Sequence, residues 1–178
     1  MNYRPITDTW ILARPKVKYY GAYPNGFLER ARVLLGCSVS EPILHVCGGR
    51  SREYPGKRGW GPNDLTLDLD LDLEPDFRYD IREPLPGEWA DKFRAIIADP
   101  PYTEGDADHY AVGRGVFPSA TQVLTNCLKG VSKGTKVGIL HYVFAAPRPR
   151  ELGRLHALIT VVTGYDNRLR AFTVFEKT

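Results

Sequence analysis

Short, mostly apolar runs alternate along this chain with polar connections rich in glycine and proline. Ile43-Leu44-His45-Val46 and Ala95-Ile96-Ile97-Ala98 are too brief for helices, and each halts where a hydrogen-bonded ladder must stop: at Gly48-Gly49 after the first, at Pro100-Pro101 after the second. Runs of this kind predict parallel strands with both faces covered. Leu65 to Leu73 instead alternates leucine with threonine and aspartate at period two, the pattern of an amphipathic strand. In a sheet covered on both sides only its first part can be strand, which places Asp68 or Asp70 at a strand's carboxyl end. A third short strand is expected to end at Asp80-Ile81.

Helical spacing occurs twice. Phe27, Leu28, Ala31, Val33, Leu34 and Leu35 form an apolar face with Glu29, Arg30 and Arg32 off it, and Gly36 is a natural stop. Ala120 to Lys129 places Val123, Leu124 and Leu128 on one face and ends at Gly130. A strand follows over Thr135 to Val143. Pro147-Arg148-Pro149-Arg150 reads as the opening of a further helix running to about His156. The β-rich runs Leu158 to Thr163 and Leu169 to Phe175, separated by Gly164-Tyr165-Asp166-Asn167-Arg168, predict a closing antiparallel hairpin. Residues 1 to 25, rich in tyrosine and proline, read as an aromatic and basic loop leading into the first helix. The alternation of strands and helices defines an α/β fold, expected as one domain over 1–178 with residues 1–36 packing on its core.

At 178 residues the chain can bury a core without disulfides or metal. Cys37, Cys47 and Cys127 lack CxxC spacing and nearby histidine pairs, so neither a zinc site nor a disulfide framework is indicated. An EF-hand starting at Asp68 is excluded, because its sixth and twelfth positions are Leu73 and Tyr79. No GxxxxGK[ST] or GxGxxG occurs, which excludes Walker-type phosphate cradling and the dinucleotide fingerprint. No apolar run approaches the length of a bilayer crossing, so the expected location is the cytoplasm, with no membrane partner. A net charge of +3 is compatible with a polyanionic partner without demanding one.

Candidate chemistry gathers just past the strand ends. Asp99-Pro100-Pro101-Tyr102 sets a carboxylate, two ring-locked residues and an aromatic side chain beyond a buried strand, where open α/β sheets bind their ligands. This tetrapeptide resembles the DPPY motif of S-adenosylmethionine-dependent methyltransferases that modify exocyclic amines, mainly adenine N6 and cytosine N4. The resemblance implies a Rossmann-like, class I methyltransferase fold: seven strands, mostly parallel, closed by a C-terminal antiparallel hairpin, with the motif after the fourth. Cys47-Gly48-Gly49 is similar to the family's first cofactor motif, although its spaced glycines are reduced here to an adjacent pair.

The resemblance assigns roles. S-adenosylmethionine is the implied cofactor, with Tyr20 and Gly21 near its methionine end, Cys47, Gly48 and Gly49 in the loop beside it, Asp68 or Asp70 on its ribose, and Asp80 with Ile81 at its adenine. Asp99 and the Pro100 carbonyl each take one N–H of the target amine, Pro101 stiffens the turn, and Tyr102 stacks on the base, flipped out of its stack where the substrate is a duplex. Methylation of adenine N6 in DNA is the implied activity, with DNA ahead of RNA as the nucleic-acid partner. The alternatives are an RNA or other amino-group methyltransferase of the same fold, or a silent relative that binds cofactor or nucleic acid. No segment of target-recognition size is present. His109, in the connection 103–118, is not needed for such chemistry.

Overall fold

A computed structural model describes residues 3–16, 22–53, 59–103, 117–163 and 169–178. Its elements run β1 (Ile6–Leu12), α1 (Phe27–Leu35), β2 (Ile43–Val46), β3 (Leu65–Asp68), β4 (Phe77–Arg78), β5 (Ala95–Ala98), α2 (Ala120–Lys129), β6 (Lys136–His141), β7 (Gly153–Thr163) and β8 (Leu169–Lys177). The strands form one sheet in the order β1-β7-β8-β6-β5-β2-β3-β4. Every pairing is parallel except those that β8 makes with β6 and β7. This is the α/β, mostly parallel architecture with a closing antiparallel hairpin that the sequence predicts.

The central strands are short because nothing on them faces water. All four residues of β2 and all four of β5 are buried. Successive residues point to opposite faces. Ile43, Ala95 and Ile97 therefore join one core with Phe27, Leu28 and Leu35 of α1, while Leu44, Val46, Ile96 and Ala98 join the other with Val123, Leu124 and Leu128 of α2. Each fully buried leucine or isoleucine contributes roughly 1.5–3 kcal/mol. Among the described residues two helices thus hold two faces of one sheet.

Both helices stop where the sequence says they should. Gly36, in the left-handed region at φ 71°, closes α1 with its N–H on the carbonyls of Arg32 and Val33. The Ser119 hydroxyl accepts from the Gln122 N–H and starts α2.

Three expectations are corrected. Among the described residues the sheet has eight strands, not seven, because Ile6–Leu12, expected as loop, pairs in parallel with β7 from Ile6↔Ala157 to Leu12↔Thr163. Only Trp10 and Leu12 of that edge strand are buried, so it lacks the apolar run of an inner strand. The helix expected from Pro147 is one 3-10 turn, Arg150–Leu152, and the chain is extended from Gly153. β-branched and leucine positions from Leu155 onward pair with β8 and override the helical start signal of the prolines. The strand expected to end at Asp80-Ile81 is β4, which ends at Arg78, and Asp80-Ile81 form the turn beyond it. Leu65–Asp68 ends where the mixed reading of that stretch put it. The hairpin loop 164–168 lies outside the described residues.

Candidate active site

Strand order reverses between β2 and β5. From β2 the chain moves outward through β3 to β4, and it then returns to the other side of β2 to build β5 and β6. The crevice beyond the carboxyl ends of two such strands is the general ligand position of open α/β sheets. Asp99 and Cys47 are the first residues past those ends. The Asp99 N–H donates to the Val46 carbonyl at 3.2 Å, which extends the pairing by one bond and fixes where the motif begins. Beyond it Pro100 and Pro101 have no N–H to offer a ladder.

The bend after β2 is tight and strained. Cys47 adopts φ 53°, an uncommon region for a side-chain-bearing residue, of the sort that clusters at functional sites. Gly48 follows, where a Cβ would lie 2.8 Å from the His45 carbonyl oxygen and 3.1 Å from Thr66 Cβ, so any larger residue pushes the bend off β3. Gly49, at φ 49°, donates its N–H to Asp68 Oδ2 at 3.0 Å, and a Cβ on it would meet nothing within 4 Å. Asp68 Oδ1 also accepts from the N–H groups of Leu69 at 2.8 Å and Asp70 at 3.2 Å. Burial raises the Asp68 carboxyl above its usual range, against these three amides. Asp70 instead starts a 3-10 turn, its side chain accepting from the Asp72 N–H at 2.9 Å. Of the two aspartates, Asp68 is the one joined to the double-glycine bend.

Asp80 and Ile81 lie in the turn after β4. Arg82 holds the Asp80 carboxylate through both oxygens and keeps it below the usual range. Ile81 is buried, and Asn126 of α2 pins the turn by donating to the carbonyls of Ile81 at 2.9 Å and Arg82 at 2.7 Å. Cys47, Asp68, Asp80 and Asp99 lie at or just past the carboxyl ends of β2, β3, β4 and β5, which pair in parallel and so share one edge; burial, then Asp68, Cys127, Asp99 and Asp80, raises the Cys47 thiol well above its usual range. Tyr20 and Gly21 fall outside the described residues, as does His109.

Tyr102 is not splayed away from the motif. Its hydroxyl donates to Asp99 Oδ1 at 2.5 Å, and Arg170 Nη1 donates to the Tyr102 oxygen at 3.3 Å. Its ring meets His141 edge-on, with centroids 4.9 Å apart, and tilts against Tyr142 at 4.4 Å. Burial raises the Asp99 carboxyl to about 6, with Arg170 and the Tyr102 hydroxyl pulling the other way. Burial, then the Asp99 charge, raises the Tyr102 phenol well above its usual range.

Sequence reasoning does not single out Tyr23 or Arg170, and it takes in Tyr142 and Phe144 only within residues 141–156, read with 103–118 as the segments left for substrate recognition. Tyr23 is buried, and Asp99 and Cys47 are among the groups that raise its phenol after burial itself. Tyr142, Val143 and Phe144 are exposed apolar or aromatic residues just past the carboxyl end of β6. An apolar triplet beyond a strand end is a readable signal; the other two depend on distant chain segments meeting. Below the crevice, Asp64 binds Arg32 of α1, accepts from the N–H groups of Gly61 at 2.7 Å and Ile43 at 3.0 Å, and lies 3.5 Å from His45. Among the described residues no group of three or more His, Cys, Asp and Glu could hold a metal, and no helix is long and apolar enough to cross a membrane.

No family model and no curated protein sequence matches the chain. Solved structures do match it in fold. TrmN from Thermus thermophilus aligns over 88% of this chain with a TM-score of 0.59 and 16% identity; the chain spans 49% of that protein's length. A candidate RNA methyltransferase of Pyrococcus horikoshii aligns over 85% of this chain and 80% of its own, with a TM-score of 0.51 and 13% identity. The fold is the Rossmann-like one of class I methyltransferases, carrying one additional strand, β1, at the hairpin edge.

Proposed function

We propose that the chain is an S-adenosylmethionine-dependent methyltransferase domain over residues 1–178, acting on an exocyclic amine of a nucleobase. The observation that carries this reading is the position of Asp99-Pro100-Pro101-Tyr102 at the β2/β5 reversal, beside the double-glycine bend and Asp68. The residues present fit such a cofactor. Gly49 offers an open approach to the backbone, Asp68 sits at the end of β3 where a ribose diol would bond, and the turn after β4 adds the Asp80 carboxylate for adenine, with the buried Ile81 next to it in the chain. Bound there, the cofactor supplies a sulfonium-activated methyl group, whose transfer to nitrogen leaves a neutral thioether.

What remains for the protein is position and charge. The lone pair of an aromatic amine is delocalised into its ring. Asp99 and the Pro100 carbonyl, each receiving one N–H, draw the nitrogen toward tetrahedral geometry and free that lone pair for attack. A carboxylate offers about four lone-pair directions, of which Tyr102 takes one, so Asp99 keeps room for the amine and for the proton it sheds. Tyr102 and Tyr142 form an aromatic wall on which a base can stack, a contact worth about 1–3 kcal/mol.

The fold shared with a candidate RNA methyltransferase supports RNA as the polymer, with adenine N6 in DNA as the second reading. The test is transfer of labelled methyl groups to total RNA and to DNA, followed by digestion to nucleosides. Label on an exocyclic nitrogen of a nucleoside from one polymer supports the reading and names the polymer, and label on a ring nitrogen contradicts it. Label only on ribose or ring carbon, or no binding of S-adenosylmethionine by calorimetry, overturns it.

A further inference from the structure

The reversed strand β8 begins at the edge where the parallel strands end, and its second residue, Arg170, reaches the motif from there. Ala171, next along, sits opposite His141 at the end of β6. Sixty-eight positions from Tyr102 in sequence, the Arg170 guanidinium donates to the Tyr102 oxygen at 3.3 Å, and that hydroxyl in turn donates to Asp99 Oδ1 at 2.5 Å. Arg170 is half-buried, so its charge is poorly screened by water and the two bonds reinforce each other. We propose that Arg170 is a positioning residue of this site: by fixing the Tyr102 hydroxyl on Asp99 it keeps that carboxylate charged and in one orientation, ready to receive the substrate amine. The inference rests on the proposed methyl transfer for its consequence, but its physical content is a coupling between three side chains.

Other groups around Asp99 do not replace this one. Tyr23, from the segment before α1, and Cys47, from the bend after β2, both act on or through the same charge, and burial keeps both neutral. Burial works against the charge of Arg170, and Tyr102 and Asp99 more than compensate. Without Arg170, the Tyr102 oxygen loses the bond that Nη1 donates to it, and the carboxyl retains its proton to higher pH. A protonated carboxyl donates from one of its oxygens instead of accepting there.

The experiment is a titration of the Asp99 carboxyl by carbon NMR on aspartate-labelled protein, with the resonance assigned by Asp99→Asn. The midpoint moves upward by about one pH unit in Arg170→Gln, returns toward wild type in Arg170→Lys, and also moves upward in Tyr102→Phe, which cuts the relay while leaving Arg170 in place. In turnover, the rate of Arg170→Gln at pH 6 falls about fivefold further than its rate at pH 8, because a one-unit rise from a midpoint of about 6 takes the ionised fraction at pH 6 from about one half to about one tenth. A midpoint unchanged in folded Arg170→Gln and Tyr102→Phe overturns the inference. A shifted midpoint in a protein that transfers no methyl group supports the coupling and contradicts only the function.

Discussion

The Gly49 amide donates to the Asp68 carboxylate at 3.0 Å, so a side chain adds to the Gly48 N–H bond on the Leu67 carbonyl (3.2 Å) in tying the bend leaving β2 to the end of β3. This tie holds the double-glycine turn at the sheet edge, beside the first residues of the Asp99 motif. A bond to a charged group contributes about 1.5–3 kcal/mol. Asp68→Ala is therefore expected to weaken S-adenosylmethionine binding by roughly 10- to 100-fold, with circular dichroism unchanged. Isothermal titration calorimetry reads the affinity, and wild-type affinity in the variant contradicts the role.

Below the bend, the Arg32–Asp64 pair is buried on both sides and carries several backbone bonds. Arg32 donates to the carbonyls of Gly59, Ser38 and Glu41, while Asp64 holds Gly61 and Ile43. Removing one member of a buried pair leaves the other charge uncompensated, at a cost of about 3–5 kcal/mol. Urea unfolding of Asp64→Ala or Arg32→Ala should show that loss. A change below 1 kcal/mol in both would mean that the pair does not hold α1 and residues 59–64 against β2.

The Asp99 carboxyl titrates near 6, well above its ordinary 3.8, because burial penalises its charge. A raised carboxyl contributes stability that is fully present below the unfolded value and lost as pH rises through 6, so at pH 7 the ionised group weighs against folding. Asp99→Asn, which keeps an acceptor for Tyr102, is expected to raise stability at pH 7 by roughly 1–3 kcal/mol and to change it little at pH 3.5. Paired denaturant melts at the two pH values check this. Equal stability of the two proteins at pH 7 would show that the carboxylate is not penalised there.

Much of this arrangement is legible in the sequence because it is local. Ala95 to Ala98 followed by two prolines can only be a buried strand that stops, and Ile43 to Val46 followed by two glycines reads the same way. The closing hairpin is legible from β-branched runs around a turn. β1 is not, since an edge strand buries only Trp10 and Leu12 and lacks an unbroken apolar run. The Arg150 region misleads because proline followed by charge is a helix signal until pairing with β8 overrides it. Arg170, Tyr23 and the Arg32–Asp64 pair depend on contacts between distant segments, which no spacing rule exposes. The bond from the Tyr102 hydroxyl to Asp99 is not legible from the motif either.

The most direct measurement compares the wild-type protein with Asp99→Ala for transfer of labelled methyl from S-adenosylmethionine to RNA and DNA. The account predicts incorporation into an exocyclic nucleobase amine by the wild type. It predicts a loss of about 10²–10³-fold in the variant, with cofactor affinity within a few-fold, as expected when a preorganised polar group at the reacting atom is removed. Equal rates in the two proteins, or no transfer by either to any nucleic acid, would contradict it.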